Sequence, residues 1–273
     1  MDATVSAHQR SRGELQLGFK RRGEATVLSQ LRQDGCLKAR FPRTEHGGWT
    51  EAVMLNSSGG VAGGDTLATD VTAAPGTRAT IAAQAAERFY RALPGSTAGV
   101  SNSVRVDEGA AVEWLPQETI LFDGCSLRRR LQIDLAPDAA FLGVESLVFG
   151  RTAMGETVET ADIADLIEIR RGGRLLMHDR IRFAGPVAAL LERKAVSAGA
   201  CAVATLVQVA PGAEASLDAV REALAPYDAG ASAWDGMLVA RVVARNGACL
   251  RKAVVAGLNV LRAGRPLPRV WLC

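Results

Sequence analysis

Alternation of apolar and polar residues with a period of two is the feature that most limits what this chain can fold into. It recurs in three stretches, which begin at Leu15, Leu67 and Leu127. The residues on the alternating face are Leu15, Leu17 and Phe19; Leu67, Thr69, Val71 and Ala73; and Leu127, Leu131, Ile133 and Leu135. A strand with one buried face shows this period. Short turn signals such as Pro75-Gly76 and Asp123-Gly124 separate the stretches. The pattern therefore predicts a mainly β body built from many short strands.

Two segments near the C-terminus depart from the period of two. Residues 214–225 follow a turn at Pro211-Gly212, carry acids near their start and show helical spacing. Residues 249–263 place apolar residues on one helical face and end at Gly264. Both patterns predict helices, with a strand from Trp234 to Arg245 between them. No internal repeat and no linker is evident. We therefore expect a flexible tail over residues 1–13 and a single domain over residues 14–273.

Composition and charge exclude several classes of protein. The net charge of +3 is spread along the chain and aromatic residues make up 5%, which does not suit a nucleic-acid interface. The five cysteines are far apart, so neither a disulfide framework nor a zinc knuckle is expected. No apolar run reaches about 18 residues, and the polar N-terminus lacks a secretory signal. We expect a cytoplasmic protein that contacts neither nucleic acid nor membrane.

The most unusual segment is a glycine-rich corner, defined as Gly59, Gly60, Gly63 and Gly64. A phosphate-binding loop would need Gly-Lys-Ser/Thr at its end, but Asp65 follows Gly64 and would repel phosphate. The spacing also fails the dinucleotide fingerprint. Two interpretations stay open. The corner is a structural turn between strands, or its small residues keep a passage open with Asp65 on the wall.

Other polar residues are candidates for chemistry without forming a recognisable catalytic set. Glu118 and Asp123 could act as paired acids, but their odd spacing puts them on opposite faces of a strand. Glu156 can pair with Arg151 or serve as a loop ligand. The three histidines show no metal-ligand spacing, and no serine lies in a nucleophile-elbow motif. The sequence therefore predicts neither an enzyme nor a tight metal site.

Five segments in order carry a resemblance to a known family. They are Leu55–Asp65 (L-N-x-x-G-G-x-x-G-G-D), Gln84–Arg91, Glu113–Ile120, Gly150–Glu156 and Leu267–Trp271. Together they resemble the urease accessory proteins of the UreD (UreH) family. The resemblance implies a stacked, β-helix-like body with two helices near the C-terminus. It also implies a maturation factor that acts with a helical partner (UreF) and a GTPase (UreG) to insert nickel into apo-urease.

The resemblance further implies a water-filled passage that carries nickel without holding it as a cofactor. Oxygen ligands release nickel more readily than imidazole or thiolate clusters, so scarce histidine suits a conduit. The polar residues that we expect to line or gate the path are Asp65, Thr66, Glu118, Asp123 and Glu156. One alternative is that these acids only stabilise turns. For the whole protein, the alternatives are a β-helical carbohydrate-active enzyme with paired acids and a scaffold that carries no ion.

Overall fold

The computed structural model describes residues 10–43, 48–151 and 154–272. Within these ranges the chain forms seventeen β-strands and three α-helices. The first nine strands are β1 (Arg12–Arg22), β2 (Ala25–Gly35), β3 (Leu37–Arg40), β4 (Thr50–Asn56), β5 (Thr66–Ala73), β6 (Arg78–Ala83), β7 (Glu87–Phe89), β8 (Ala98–Val106) and β9 (Ala111–Leu115). The others are β10 (Thr119–Leu121), β11 (Ser126–Leu135), β12 (Ala140–Phe149), β13 (Thr160–Arg171), β14 (Arg174–Pro186), β15 (Ala202–Val209), β16 (Ala229–Trp234) and β17 (Met237–Ala244). The helices are α1 (Val187–Leu191), α2 (Leu217–Leu224) and α3 (Gly247–Leu261).

From β4 to β13 the chain coils between two sheets. The first sheet contains β5, β8, β11 and β13, which pair in parallel in that order. The second contains β4, β6, β9 and β12, also parallel. The second-sheet strands begin at near-regular intervals, at Thr50, Arg78, Ala111 and Ala140. This structural repeat was not evident in the sequence, because only the strand positions recur and the residues that fill them differ.

A short third face completes each coil. There β7 pairs in parallel with β10, and β10 pairs with the end of β12. Val61 extends the same face through a parallel bridge to Phe89. Turns at Gly64, Gly95 and Gly124 then return the chain to the first sheet, and each of these glycines has a positive φ. The three faces enclose an interior that runs along the axis of the coil.

Antiparallel strands close the two ends of the coil. At one end β2 pairs with β1, and β1 joins the first sheet beside β5. At the other end β14 pairs with β13, while β15, β17 and β16 extend the second sheet. Among the described residues, the first sheet therefore has seven strands. The second has ten when β3, which pairs with β4, and the third-face strands β7 and β10 are counted with it.

Two hydrophobic clusters hold these layers together. One fills the coil and includes Leu17, Ile81 and Leu127. The other lies between the outer face of the second sheet and the helices, and includes Leu206 and Leu258. Strand β12 lies between both clusters, so nine of its ten residues are buried and it does not alternate.

The predicted fold class is confirmed: the chain is mainly β, stacked like a β-helix, and has two helices near the C-terminus. The first predicted helix is a 3-10 turn over Ala213–Ser216 followed by α2, and the second is α3. The predicted strand between them is β17, but β16 before it was not predicted.

The predicted N-terminal tail is partly corrected. Residues 1–9 lie outside the described residues. Arg12 and Gly13 were assigned to the tail, but they belong to β1 because they pair with Thr66 and Leu67 of β5. The single domain over residues 14–273 stays a prediction.

Candidate functional site: an internal cavity along the coil

A cavity of about 260 Å³ lies inside the coil. Leu67 and Val100 of the first sheet, Trp114 of the second and Phe89 of the third face all line it. At one end it is bordered by exposed residues of the glycine-rich corner and of the loop around Gln84, so it opens to solvent there. The cavity is thus a blind pocket that enters the coil along its axis.

The mouth of the cavity carries a carboxylate. Asn56 donates a hydrogen bond from Nδ2 to Oε2 of Glu87 at 3.0 Å. Burial raises the pKa of Glu87 above its ordinary value, and the hydrogen bond from Asn56 opposes that shift. Deeper in the cavity the polar lining continues with Thr69, Asn102 and Thr119. These groups offer carboxylate, amide and hydroxyl oxygens, which are weak ligands for a divalent first-row metal ion.

The inner end of the cavity is a buried cluster around Arg129. Its Nε and Nη2 bond both oxygens of Asp165 at 2.8 and 2.6 Å. Its Nη1 lies 2.8 Å from Oε2 of Glu145 and 2.7 Å from Oγ1 of Thr119. The other oxygen of Glu145 accepts a hydrogen bond from Nε1 of Trp114 at 2.9 Å. The three charged side chains are no more than 7% exposed, so this cluster is shielded from water.

The charges in this cluster are strongly coupled. Burial raises the pKa of Glu145, and Arg129 opposes the shift. The pKa of Arg129 is raised because the attraction of Asp165 and Glu145 outweighs its own desolvation. With all three groups ionised, one guanidinium faces two carboxylates.

A second, much smaller void lies on the far side of the cluster. It measures about 10 Å³, and Glu145, Asp165, Asp179 and Thr205 are among its lining residues. Glu145 therefore borders both voids. Asp179 pairs with Arg241 at 2.5 Å, and Arg241 is partly exposed. Side chains that carry oxygen atoms are thus spaced along the axis, and the Arg129 guanidinium lies among them.

Part of the glycine-rich corner lies at the mouth of the cavity. Gly59 and Gly60 line the cavity. Gly60 has a φ of +142°, and a Cβ there would lie 2.4 Å from the ring of Tyr90. Gly63 packs so closely that a Cβ would lie 2.4 Å from Oγ of Ser96. The corner is therefore also a structural turn, since no larger side chain fits at these two positions.

Asp65 and Thr66 do not line the cavity. Asp65 is buried and accepts hydrogen bonds from the backbone N–H groups of Ser11 and Ala62 at 2.7 and 2.8 Å. Thr66 is exposed and borders a groove on the outside of the first sheet. The carboxylate thus fixes the turn before β5, which favours the turn-stabilising alternative.

Glu118 points away from the cavity. Its side chain pairs with Arg251 of α3 at 3.1 Å, whereas its neighbours Gln117 and Thr119 line the cavity. Alternation along the extended chain accounts for the difference. Glu118 therefore ties the coil to α3.

Asp123 and Glu156 meet at the edge of the third face. Asp123 pairs with Arg91 and accepts a hydrogen bond from the backbone N–H of Thr160 at 2.9 Å, which holds its pKa below the ordinary value. Glu156 pairs with Arg151 at 2.7 Å. Asp123 and Glu118 are thus engaged with different partners, and the geometry gives no support to a pair of catalytic acids.

The residues at the inner end of the cavity were missed in the sequence, although the period of two contained a signal for one of them. Leu127, Leu131 and Ile133 mark the inward row of β11, and Arg129 occupies the same row. A charged residue in an inward row must find buried partners. Asp165 similarly interrupts the inward row of Ile163 and Ile167 in β13.

Among the described residues, the histidines and cysteines form no site like the cluster around Arg129. His8, His46 and Cys273 lie outside the described residues. His178 is half exposed and lies 3.6 Å from Glu168. Burial raises the pKa of the Cys125 thiol to about 12, which leaves it unreactive. Across residues 10–43, 48–151 and 154–272, no three or more His, Cys, Asp or Glu side chains are grouped closely enough to hold a metal ion.

Comparison with known proteins identifies the family. The family described as UreD urease accessory protein matches residues 11–272. The urease accessory protein UreD of Azorhizobium caulinodans is 44% identical over 271 residues, which cover 98% of this chain and 99% of that protein. Those of Rhizobium leguminosarum bv. viciae and Methylobacterium sp. (strain 4-46) are each 45% identical, and the alignments cover at least 95% of every chain.

This chain belongs to the UreD family. The match runs from the start of β1 to the C-terminal segment, so the coil and the helices are parts of one UreD-family sequence. The family resemblance predicted from the five ordered segments is confirmed. None of the helices in the described part of this UreD-family chain is long and apolar enough to cross a membrane.

Proposed function

We propose that this UreD-family protein is a cytoplasmic, non-catalytic urease maturation factor. In this proposal it conveys nickel into apo-urease, together with a UreF-like helical accessory protein and a UreG-like GTPase. The names of its relatives describe them as urease accessory proteins, which supports the general role. The observation that carries the conduit role is the cavity along the coil axis, because oxygen-bearing side chains recur among the apolar ones that line it.

The chemistry of the lining suits an ion in transit. Nickel lies high in the Irving–Williams order, so a cluster of imidazoles or thiolates would retain it. The described cavity instead offers Glu87, Asn102, Thr69 and Thr119, spread along its length. Conduction requires sites weak enough to release the ion. Nickel is then a cargo and not a cofactor.

The path that we propose uses residues that line the cavity, which differ from the residues that the sequence suggested. Asp65, Glu118 and Asp123 stabilise turns or pair with arginines, and the cavity is lined by other residues. The path that we propose runs from Glu87 through Asn102 to Glu145.

One feature of this chain supports the proposal that a GTPase partner supplies the nucleotide chemistry. Its glycine-rich corner is a tight turn whose following residue, Asp65, bonds backbone N–H groups. A phosphate-binding loop would leave such N–H groups free for phosphate. We therefore assign nucleotide chemistry to the partner.

The test is complementation of a urease-positive host from which its own UreD gene is deleted. We expect the wild-type chain to restore urease activity and the nickel content of the purified urease. Asn102→Leu replaces a polar lining group with an apolar one of similar size. We expect it to fold and co-purify with the partners but to lower both readouts at least threefold.

Asn259→Leu is the matched control, because Asn259 is exposed on α3, away from the cavity. We expect it to match the wild type. Failure of the wild-type chain to restore activity would overturn the maturation role. Full nickel loading with Asn102→Leu in an intact complex would favour the scaffold alternative.

A further inference from the structure

One permanently charged side chain, that of Arg129, lies among the oxygen-bearing residues along the axis of the coil. Arg129 lines the larger cavity, its partner Asp165 lines the small void, and Glu145 lines both. The guanidinium of Arg129 is buried and stays protonated at any ordinary pH. A cation that moved along this line would therefore meet a fixed positive charge at this point.

The same guanidinium lies in an oxygen cage. Four oxygen atoms surround it, each within 2.8 Å of one of its nitrogens: both oxygens of Asp165, one of Glu145 and the hydroxyl of Thr119. Trp114 holds the remaining oxygen of Glu145 in place. Carboxylate and hydroxyl oxygens are among the groups that coordinate a hard or borderline divalent cation.

We propose that Arg129 is the gate of the passage: it occupies, as a resident cation, the oxygen cage through which the divalent ion must move, and it must leave the cage for the ion to pass. This inference rests on the proposed conduit function and adds to it the residue that regulates flow.

Charge balance supports an exchange between the guanidinium and the ion. With Arg129 in place, one positive charge faces the two carboxylates of Glu145 and Asp165, and a net charge of −1 remains. A divalent ion in the same cage would leave the site neutral. The void beside Asp179 and Thr205 provides polar groups on the exit side, next to the Asp179–Arg241 pair. The exchange breaks only hydrogen bonds and ion pairs.

Direct titration of the purified full-length chain with nickel chloride tests the cage. Arg129→Gln removes the resident cation and leaves the oxygens. We expect it to gain one nickel site at least tenfold tighter than any in the wild type, and to show a melting temperature that rises when nickel is added. The double variant Arg129→Gln/Glu145→Gln should lose that site.

Arg128→Gln is the matched control, because Arg128 is the next residue of β11 and its side chain is exposed and pairs with Asp162. We expect its nickel affinity to equal that of the wild type. A nickel affinity of Arg129→Gln no higher than that of the wild type would overturn the gate.

A second variant covers the case in which Arg129→Gln does not fold. Arg129→Lys keeps one positive charge but cannot bond both carboxylates and Thr119 in the planar geometry of a guanidinium. With partners and limiting nickel, we expect it to raise the initial rate of urease activation about threefold. An unchanged rate would overturn the gate. The conduit itself is judged separately, because Asn102→Leu should lower nickel loading whether or not Arg129 is a gate.

Discussion

The pKa values of carboxylates in this protein shift in different directions, depending on what surrounds each side chain. Inside the coil, burial raises the pKa of Glu87 and Glu145, because a desolvated carboxylate resists ionisation. At the edge of the third face, the backbone N–H of Thr160 and the guanidinium of Arg91 lower the pKa of Asp123. The first kind of carboxylate destabilises the fold when it is charged, and the second kind stabilises it.

This difference predicts opposite pH dependences for two substitutions. The pKa of Glu87 is raised above its ordinary 4.5, so the wild type loses stability as pH rises through the folded-state pKa. Glu87→Gln removes that loss and keeps an oxygen for Asn56. We expect its melting temperature to exceed that of the wild type at pH 8, and the gain to vanish at pH 4, below the unfolded-state pKa. Thermal unfolding at both pH values measures it.

Asp123→Asn provides the opposite case. The pKa of Asp123 is lowered, so its stabilising effect is present above the ordinary 3.8 and is lost as pH falls through the folded-state pKa. We expect this variant to melt below the wild type at pH 7.

A gain in melting temperature for Glu87→Gln of equal size at pH 4 and pH 8 would show that the charge of Glu87 is not its cause.

Among the structural elements, the glycine-rich corner has the strictest local requirement. It connects β4 to the third face at the mouth of the cavity. Gly59 and Gly60 both have a positive φ, but only Gly60 also packs against the ring of Tyr90. Substituting Gly59 and Gly60 in turn therefore separates the cost of a positive φ from the cost of close packing.

Gly60→Ala should reduce the free energy of unfolding by about 3 kcal/mol, since backbone strain and overpacking each cost roughly 1–2 kcal/mol. Gly59→Ala is the matched control: no atom lies within 4 Å of its added Cβ. It should cost only about 1 kcal/mol. Urea unfolding of both variants measures the difference. Equal costs would contradict the close contact at Gly60.

Strands with one buried face and the two C-terminal helices could be predicted, because each shows a local pattern. Leu15, Leu17 and Phe19 alternate because one face of β1 is buried. Strand β12, buried on both faces at nine of its ten residues, gave no such pattern, and β16 pairs only with β17 at the edge of the second sheet. Elements were thus predictable where a single face decides burial.

The cavity could not be predicted, because it depends on pairing between strands distant in sequence. The inner cluster draws Thr119, Arg129, Glu145 and Asp165 from four different strands. The polar residues that were selected lie in turns, where sequence patterns make them conspicuous. Asp65 is one such case, since its carboxylate bonds backbone N–H groups at the corner. Local sequence patterns reveal polar residues that stabilise turns, whereas polar residues of the interior depend on which strands pair.

At the scale of the whole molecule, a buried ion cluster joins the coil to its helical end. Glu113 of β9 bonds Arg262, just after α3, at 3.0 Å, and also bonds Arg265. Thr80 donates a further hydrogen bond to it at 2.7 Å. Arg265 also lies over the ring of Trp49, 3.8 Å from its centroid. One carboxylate thus connects the second sheet to the C-terminal segment.

Glu113→Gln should lower the free energy of unfolding by about 3 kcal/mol, because Arg262 is left buried without a counter-charge. The double variant Glu113→Gln/Arg262→Met should cost at least about 1 kcal/mol less than the two single costs added together, since the residues interact directly. Chemical denaturation measures all three variants.

Asp235→Asn is the exposed counterpart, because Asp235 pairs with Arg174 in a solvent-accessible position. It should change stability by less than about 1 kcal/mol. Strict additivity at Glu113 and Arg262 would mean that the cluster does not couple the two parts of the chain.

Because the strands stack in parallel, the length of the coil along its axis can change only in discrete steps. Each circuit adds one strand to every face, so a longer or shorter homologue would differ by multiples of about 4.8 Å, the spacing between neighbouring strands. Such a change would preserve which side chains point inward. Deleting a single residue from an inner strand would instead reverse the orientation of every residue after it in that strand. Whole circuits are therefore the unit in which evolution or design can alter the length of the interior that is shielded from bulk water.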